Sequence, residues 1–225
     1  AVELSSQYHD WVKDRLYTGR YGVHARRSTQ TALHRMVIRL AQMLSPVLAF
    51  TADEAWESIP DKPTPSVHLS EWKPKTFPRT PEETEDWEKL LQLRGLILPE
   101  IELARTAKAV GKSLDVALEI SVLPRDYDGL LCSEERRSPI PLKTRGGAVL
   151  LLTTGFWRKY QAQLRELLGV SEAILVKSNT LDFIFCVRHA DGQKCERCWH
   201  WETEVGASVE HPTLCPQCVQ AVRAG

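Results

Sequence analysis

The protein has 225 residues, with 29 lysines and arginines set against 29 aspartates and glutamates and 43% hydrophobic residues. That length can bury a core in one large domain or several small ones, and the balance excludes both a disordered chain and a uniformly basic nucleic-acid arm, so any nucleic-acid surface has to be local. No long apolar run exists and the start, AVELSSQYHDW, lacks the basic and apolar regions of a signal peptide, so the expectation is a cytoplasmic protein without membrane association.

In chain order, Leu4, Tyr8, Trp11, Val12 and Leu16 recur at helical spacing and predict a helix that breaks near Gly19 and Gly22. Ser28 is the expected N-cap of a second helix, with Leu33, Val37, Leu40 and Leu44 on its apolar face and Pro46 as its stop. Thr51 and Glu54 fit a capping box for a third helix, bearing Ala55, Trp56 and Ile59 and ending at Pro60. Three helices in so short a stretch imply a bundle.

Six of the thirteen prolines fall between Pro60 and Pro81, which predicts an extended connector wrapped over a surface. Thr80, Pro81 and Glu83 then supply the N-cap, first-turn proline and capping-box acid of a long helix carrying Trp87, Leu90, Leu91, Ile97, Ile101 and Ala104. Pro99 is expected to kink or split it, and Gly111 to end it. From Leu114 to Ser121 apolar and polar residues alternate as in a half-buried strand. Residues 124–147 read as loop and Leu150 to Leu168 as helix, while Ala173 to Val176 and Leu181 to Arg188, bracketing Ser178 and Asn179, predict a hairpin. The fold class that follows is multi-domain and mainly α: a helical bundle, a small α+β unit and a C-terminal knuckle rich in cysteine.

Of the six cysteines, Cys195 and Cys198 are two residues apart, Cys215 and Cys218 likewise, and sixteen residues separate the pairs. Two such turns complete the tetrahedral thiolate shell that Zn²⁺ prefers, which points to one structural zinc with no open position for catalysis. His200 and His211 lie near enough to replace one cysteine as ligand. Cys132 and Cys186 have no partner motif, and Cys186 is expected to be a buried small hydrophobe. Metal removal is expected to unfold this module and spare the bundle.

Residues 1–50 carry Lys13, Arg15, Arg20, Arg26, Arg27, Arg35 and Arg39 against Glu3, Asp10 and Asp14, a local net charge of +4. Such a surface suits phosphates, although a charge run is also what an ordinary solvated helix face looks like. Asp14 and Arg15 lie near the apolar stripe of their helix, where Arg15 could instead enter a buried ion pair. From His189 onward the net charge is −2, so contact of the module with RNA would run through Arg197, Trp199 and Trp201 with bases or ribose, unless the tryptophans merely pack the module against its neighbour.

CERCWHW, the HPTLC-x-x-C that follows, KDRLY from Lys13 to Tyr17, LSPVLAFTADEAW from Leu44 to Trp56 and ELARTAKAVGKSLDV from Glu102 to Val116 together resemble the C-terminal part of bacterial-type isoleucyl-tRNA synthetases. The stretch from Arg125 to Gly147 and Pro99 depart from that pattern, and the nucleotide-binding signatures HIGH and KMSKS are absent; GVHA at Gly22 to Ala25 is no substitute. The resemblance implies a catalytically inactive fragment with a helical anticodon-binding region over 1–111, containing the connector 60–81, a C-terminal junction over 112–189 and a zinc-binding module over 190–225. It implies tRNA(Ile) and the remainder of the synthetase chain as partners, a monomer, ATP used only in the missing core, zinc on Cys195, Cys198, Cys215 and Cys218, and RNA contacts from Lys13, Arg15, Arg26, Arg27, Arg35, Arg197, Trp199 and Trp201. The terminal cysteine module also resembles the zinc finger of formamidopyrimidine-DNA glycosylases, whose Pro-Glu start is missing here, and a free-standing zinc-ribbon adaptor for RNA or protein is the remaining alternative.

Overall fold

The computed structural model describes residues 4–19, 23–73, 76–122, 140–143, 149–152, 154–177 and 185–224. A π-helical turn at Leu4–Tyr8 runs into α1, His9–Tyr17, followed by α2, His24–Leu44, and α3, Ala49–Glu57. α2 starts a turn earlier than Ser28 suggests: its N-cap is Val23, whose carbonyl accepts from the Arg27 amide at 3.1 Å, because Ala25, Arg26 and Arg27 are good helix formers that extend the helix upstream. α3 likewise begins ahead of Thr51, so Thr51 and Glu54 sit inside it and form no capping box.

Trp56 is fully buried and is the keystone of a small core with Ala41, Ala52, Ile59 and Val67, against which Ile38 packs. The connector closes this core from outside: Trp56 Nε1 donates to Thr64 O at 2.8 Å, and Asp53 Oδ1 accepts from Ser66 Oγ at 2.7 Å and from the Val67 amide at 2.9 Å. The expected apolar stripe of α2 is another matter. Val37, Leu40 and Leu44 are exposed, since α2 meets α3 through Ile38 and Ala41 and periodicity says that a helix has an apolar face, not which neighbour covers it.

α4, Pro81–Thr106, opens on the expected capping box, Thr80 Oγ1 accepting from the Glu83 amide at 3.1 Å and Glu83 Oε2 from the Thr80 amide at 2.9 Å. It runs unbroken through Pro99. Leu90, Leu93, Ile97 and Ile101 are buried in one core on both sides of the proline, and that packing holds the helix where a backbone bond is missing. The helix stops before Gly111, at a turn in which the Ala109 amide reaches back to Ala104 O at 3.0 Å and Lys108 takes the left-handed conformation at φ 58°.

β1, Val116–Val122, is central in a three-stranded sheet: β4, Glu172–Lys177, lies parallel on one side and β5, Phe185–His189, antiparallel on the other. β4 and β5 therefore form no hairpin, because β1 occupies the space between them. A second ribbon pairs β2, Ile140–Lys143, with β3, Val149–Leu152, so part of the expected loop and the first residues of the expected helix are strand. The helix itself is α5, Thr154–Leu168. Val116, Leu118 and Ile120 of β1 pack with Leu152, Phe156, Trp157, Leu164 and the buried face of α4 into the main core. Cys186 is exposed and not a core residue: it stands opposite Glu119 on the polar face of the sheet, beside Arg188. Cys132 lies outside the described residues.

Two short strands, β6 at Gln193–Lys194 and β7 at Trp201–Glu202, and α6, Pro216–Arg223, frame the terminal module. The molecule is thus helical with a small sheet part and a four-cysteine cluster at its end.

Candidate metal centre and nucleic-acid interface

The Cys195–Cys198 turn follows β6, and the Cys215–Cys218 turn opens α6, with Pro216 in its first turn. Gly192 makes the entry possible: at φ 91° it passes so close to β7 that a Cβ would lie 2.3 Å from Glu202 O. The four sulfurs are buried and lie within 4.8 Å of one another, with Cys198 Sγ and Cys215 Sγ 3.8 Å apart. Sulfurs placed about 2.3 Å from one tetrahedral centre stand about 3.8 Å from each other, so the donor set fits Zn²⁺. The thiols compete for protons: hydrogen bonds from Cys198 and then Cys218 hold Cys215 well below the ordinary thiol range, while Cys215 pushes Cys198 up. A dication removes that competition by ionising all four. The Cys215 amide also donates to Cys195 Sγ at 3.3 Å.

Neither histidine belongs to the cluster. His200 is buried with Nε2 hydrogen-bonded to Asp14 Oδ2 at 2.6 Å, and Arg165 Nε donates to its Nδ1 at 3.4 Å, so Nε2 carries the proton shared with Asp14. His211 does not join the four sulfurs among the described residues.

The module is latched to the first helix. Arg197 donates from Nη1 to Thr18 O at 2.5 Å and from Nη2 to Tyr17 O at 3.3 Å, and Arg26 Nη1 donates to Gly19 O at 3.0 Å, so three consecutive carbonyls at the end of α1 are capped by two guanidinium groups. Arg15 Nε donates to Glu166 Oε2 at 2.7 Å, tying α1 to α5, and Arg165 Nη2 donates to Glu202 at 2.5 Å, tying α5 to β7. Trp201 Nε1 donates to Asp115 Oδ1 at 2.9 Å and its ring meets His189 edge-on. Burial alone would raise the Asp115 carboxyl, but the hydrogen bonds from Trp201 and the Lys112 amide outweigh it and hold the group below the usual carboxylate range.

Residues 1–121 match the family described as the anticodon-binding domain of tRNA ligase, and residues 192–221 match the zinc finger found in FPG and IleRS. The chain belongs to the anticodon-binding domain family of tRNA ligases. Among its relatives are the isoleucine–tRNA ligases of Geobacter sulfurreducens, 34% identical over 99% of this chain, and of Syntrophotalea carbinolica, 37% identical over 97%. That of Exiguobacterium sibiricum is 36% identical over 99%. The chain spans about 22% of the length of each. These matches bear out the resemblance to the C-terminal region of isoleucyl-tRNA synthetases, and with the cysteine cluster they make the terminal module a zinc-binding site.

In this anticodon-binding family member, the eight residues singled out for RNA part into two groups. Arg15, Arg26, Arg197 and Trp201 hold α1, α2, α5, the turn at Asp115 before β1 and the zinc module together through the bonds just described. Lys13 is exposed and paired with Asp10 on its own helix, and Arg27 and Arg35 are exposed on α2. There they line an open groove with His24, Ser28, Thr31 and Ala32, and Arg35 lies 5.5 Å from the centre of the Phe77 ring. Trp199 is 60% exposed and holds a left-handed backbone at φ 66°, uncommon for a bulky residue. Sequence reasoning missed Asp14, His200, Asp115 and Arg165 as the joints of the latch. Its single hint was the position of Asp14 and Arg15 beside the apolar stripe of α1.

Proposed function

We propose that this chain is the tRNA-binding portion of an isoleucine–tRNA ligase, which joins isoleucine to tRNA(Ile) at the expense of ATP in a catalytic core outside this sequence. The observation that carries the reading is the exposed cationic face of α2, where His24, Arg27, Thr31 and Arg35 line one groove within the stretch matched to the anticodon-binding family. Lysine and arginine there bind phosphates, and the outward ring of Trp199 offers a face on which a base can stack. The reading keeps one zinc per chain, a cytoplasmic monomer, and the division into a helical region over 1–111, a junction over 112–189 and a zinc module over 190–225. The uncovered apolar residues Val37, Leu40, Met43, Leu44 and Phe50 suit packing by the remainder of the synthetase, which is several times longer in the relatives.

The test is binding of tRNA(Ile) transcript to the chain over a salt series. Arg27→Ala and Arg35→Ala should each weaken binding and flatten the dependence of log affinity on log salt by about one, whereas Cys186→Ser should change neither. An unchanged slope in a folded Arg27→Ala, Arg35→Ala double variant places the RNA surface elsewhere. The chain alone should catalyse no isoleucine-dependent pyrophosphate exchange.

A further inference from the structure

We propose that Arg197 is a positioning residue that transmits metal binding to the C-terminal end of α1. Arg197 lies between two metal-ligand cysteines in the first CxxC turn, so its backbone follows the geometry of the metal site. Its guanidinium bridges the module and α1: Nη1 and Nη2 reach Thr18 O and Tyr17 O at 2.5 and 3.3 Å, while Nη1 also stands 3.9 Å from the ligand sulfur of Cys218. Carbonyls in the last turn of a helix have no donor within the helix and carry its partial negative charge, so a cation delivered there closes the helix end.

A second joint comes from the same loop. The His200 carbonyl accepts from the Cys195 amide at 2.9 Å, which pins His200 to the ligand turn, and its ring holds Asp14 Oδ2 at 2.6 Å. Asp14 is the residue whose carbonyl takes the amides of both Thr18 and Gly19, each at 2.9 Å. Both joints act on one turn of α1.

Apart from the four cysteines, the buried cluster of the module consists of Val205 with Leu214 packed against it. Even with Val219 and Ala221 buried on α6, so few aliphatic side chains cannot order such a loop unaided, and loss of the metal therefore releases Arg197 and His200 together. α1 keeps its hold on α5 through Arg15 and its packing through Val12, so it frays from the C-terminal end only. That end is also held by Arg26 of α2, whose Nη1 donates to Gly19 O at 3.0 Å, so the metal bears on the start of the cationic face of α2.

The proposal rests on the zinc-binding reading of the four cysteines, and zinc content is measured in parallel so that the two can fail separately. Amide hydrogen exchange is followed by NMR in the full zinc-loaded chain for wild type, Arg197→Ala and Arg197→Lys. Arg197→Ala loses both hydrogen bonds to α1 and should retain one zinc while the Thr18 and Gly19 amides exchange at least about tenfold faster, the scale of a single charged hydrogen bond. Arg197→Lys should restore part of the protection, since an ammonium can reach one carbonyl. Chelation of wild type should accelerate the same two amides and leave Leu118 and Ile120 of β1 unchanged. Unchanged exchange in zinc-loaded Arg197→Ala, equal acceleration in β1, or zinc loss from both variants would each overturn the proposal. Wild-type protein that binds no zinc overturns the reading beneath it as well.

Discussion

Replacing Trp56 tests whether the helices that carry the cationic groove have a core of their own. The core around Trp56 holds one large side chain among Ala41, Ala52, Ile59 and Val67, and its indole N–H donates to Thr64 O at 2.8 Å across the connector. Trp56→Ala should cost about 3–5 kcal/mol for the buried ring and about 1 kcal/mol more for the hydrogen bond. What remains, Ile59 and Val67 at about 1.5–3 kcal/mol each, is of the same size as that loss, so the small core should open as a unit. Trp56→Phe keeps most of the apolar surface and should cost about 1–2 kcal/mol, mainly the hydrogen bond and the second ring. Mass-spectrometric hydrogen exchange on both variants reads the outcome segment by segment. Peptides from α2, α3 and the connector should lose protection in Trp56→Ala, while β1, β4 and β5, held by the separate core around Leu118 and Trp157, should not. Simultaneous loss in both groups would refute the division into two cores, and no loss anywhere would refute the role given to Trp56.

Cys215→Ser should abolish zinc binding and expose the Cys195 and Trp199 amides, which bond to His200 O and Cys195 O, whereas Cys186→Ser should bind zinc as wild type does; metal analysis with thiol titration checks both. Lys108→Gly should stabilise the chain by about 0.5–1 kcal/mol, because glycine adopts the left-handed end of α4 without the strain lysine bears there; a lower thermal midpoint would contradict this. Asp86 is buried, and although burial alone raises its carboxyl, hydrogen bonds from Lys159 Nζ at 2.7 Å and Tyr160 OH at 2.8 Å leave it below the usual range. Its contribution to stability is therefore present above about pH 4 and lost as pH falls through the depressed native value, so Asp86→Asn should flatten the acid limb of a stability–pH curve that wild type shows.

Most local signals were legible in the sequence, with the Ser28 cap and the Thr51–Glu54 pair as exceptions, and non-local ones were not. The Thr80–Glu83 box, the proline-rich connector and the paired CxxC turns each depend on residues a few positions apart, and each stands where the sequence puts it. Pro99 does not split α4, because a rule about one backbone bond was outweighed by Leu93, Ile97 and Ile101 packing on both sides of it. The hairpin expectation failed because β4 pairs with β1, far upstream, a choice that Ser178 and Asn179 cannot encode. The structural partners of the arginines were hidden for the same reason: Arg15, Arg26 and Arg197 look like any cation in the sequence, and only the fold shows Glu166 and the end of α1 beside them.

The central place of β1 bears on how the newborn chain survives its own synthesis. β1 leaves the ribosome about seventy residues ahead of β5, a wait of roughly four to fourteen seconds at ordinary translation rates of about 5–20 residues per second. For the first fifty-six residues of that interval Val116, Leu118 and Ile120 have neither partner strand, and from the arrival of β4 until that of β5 one edge of β1 stays open. Slow decoding between α5 and β5 would lengthen the window in which a chaperone, or another nascent copy, meets this segment first.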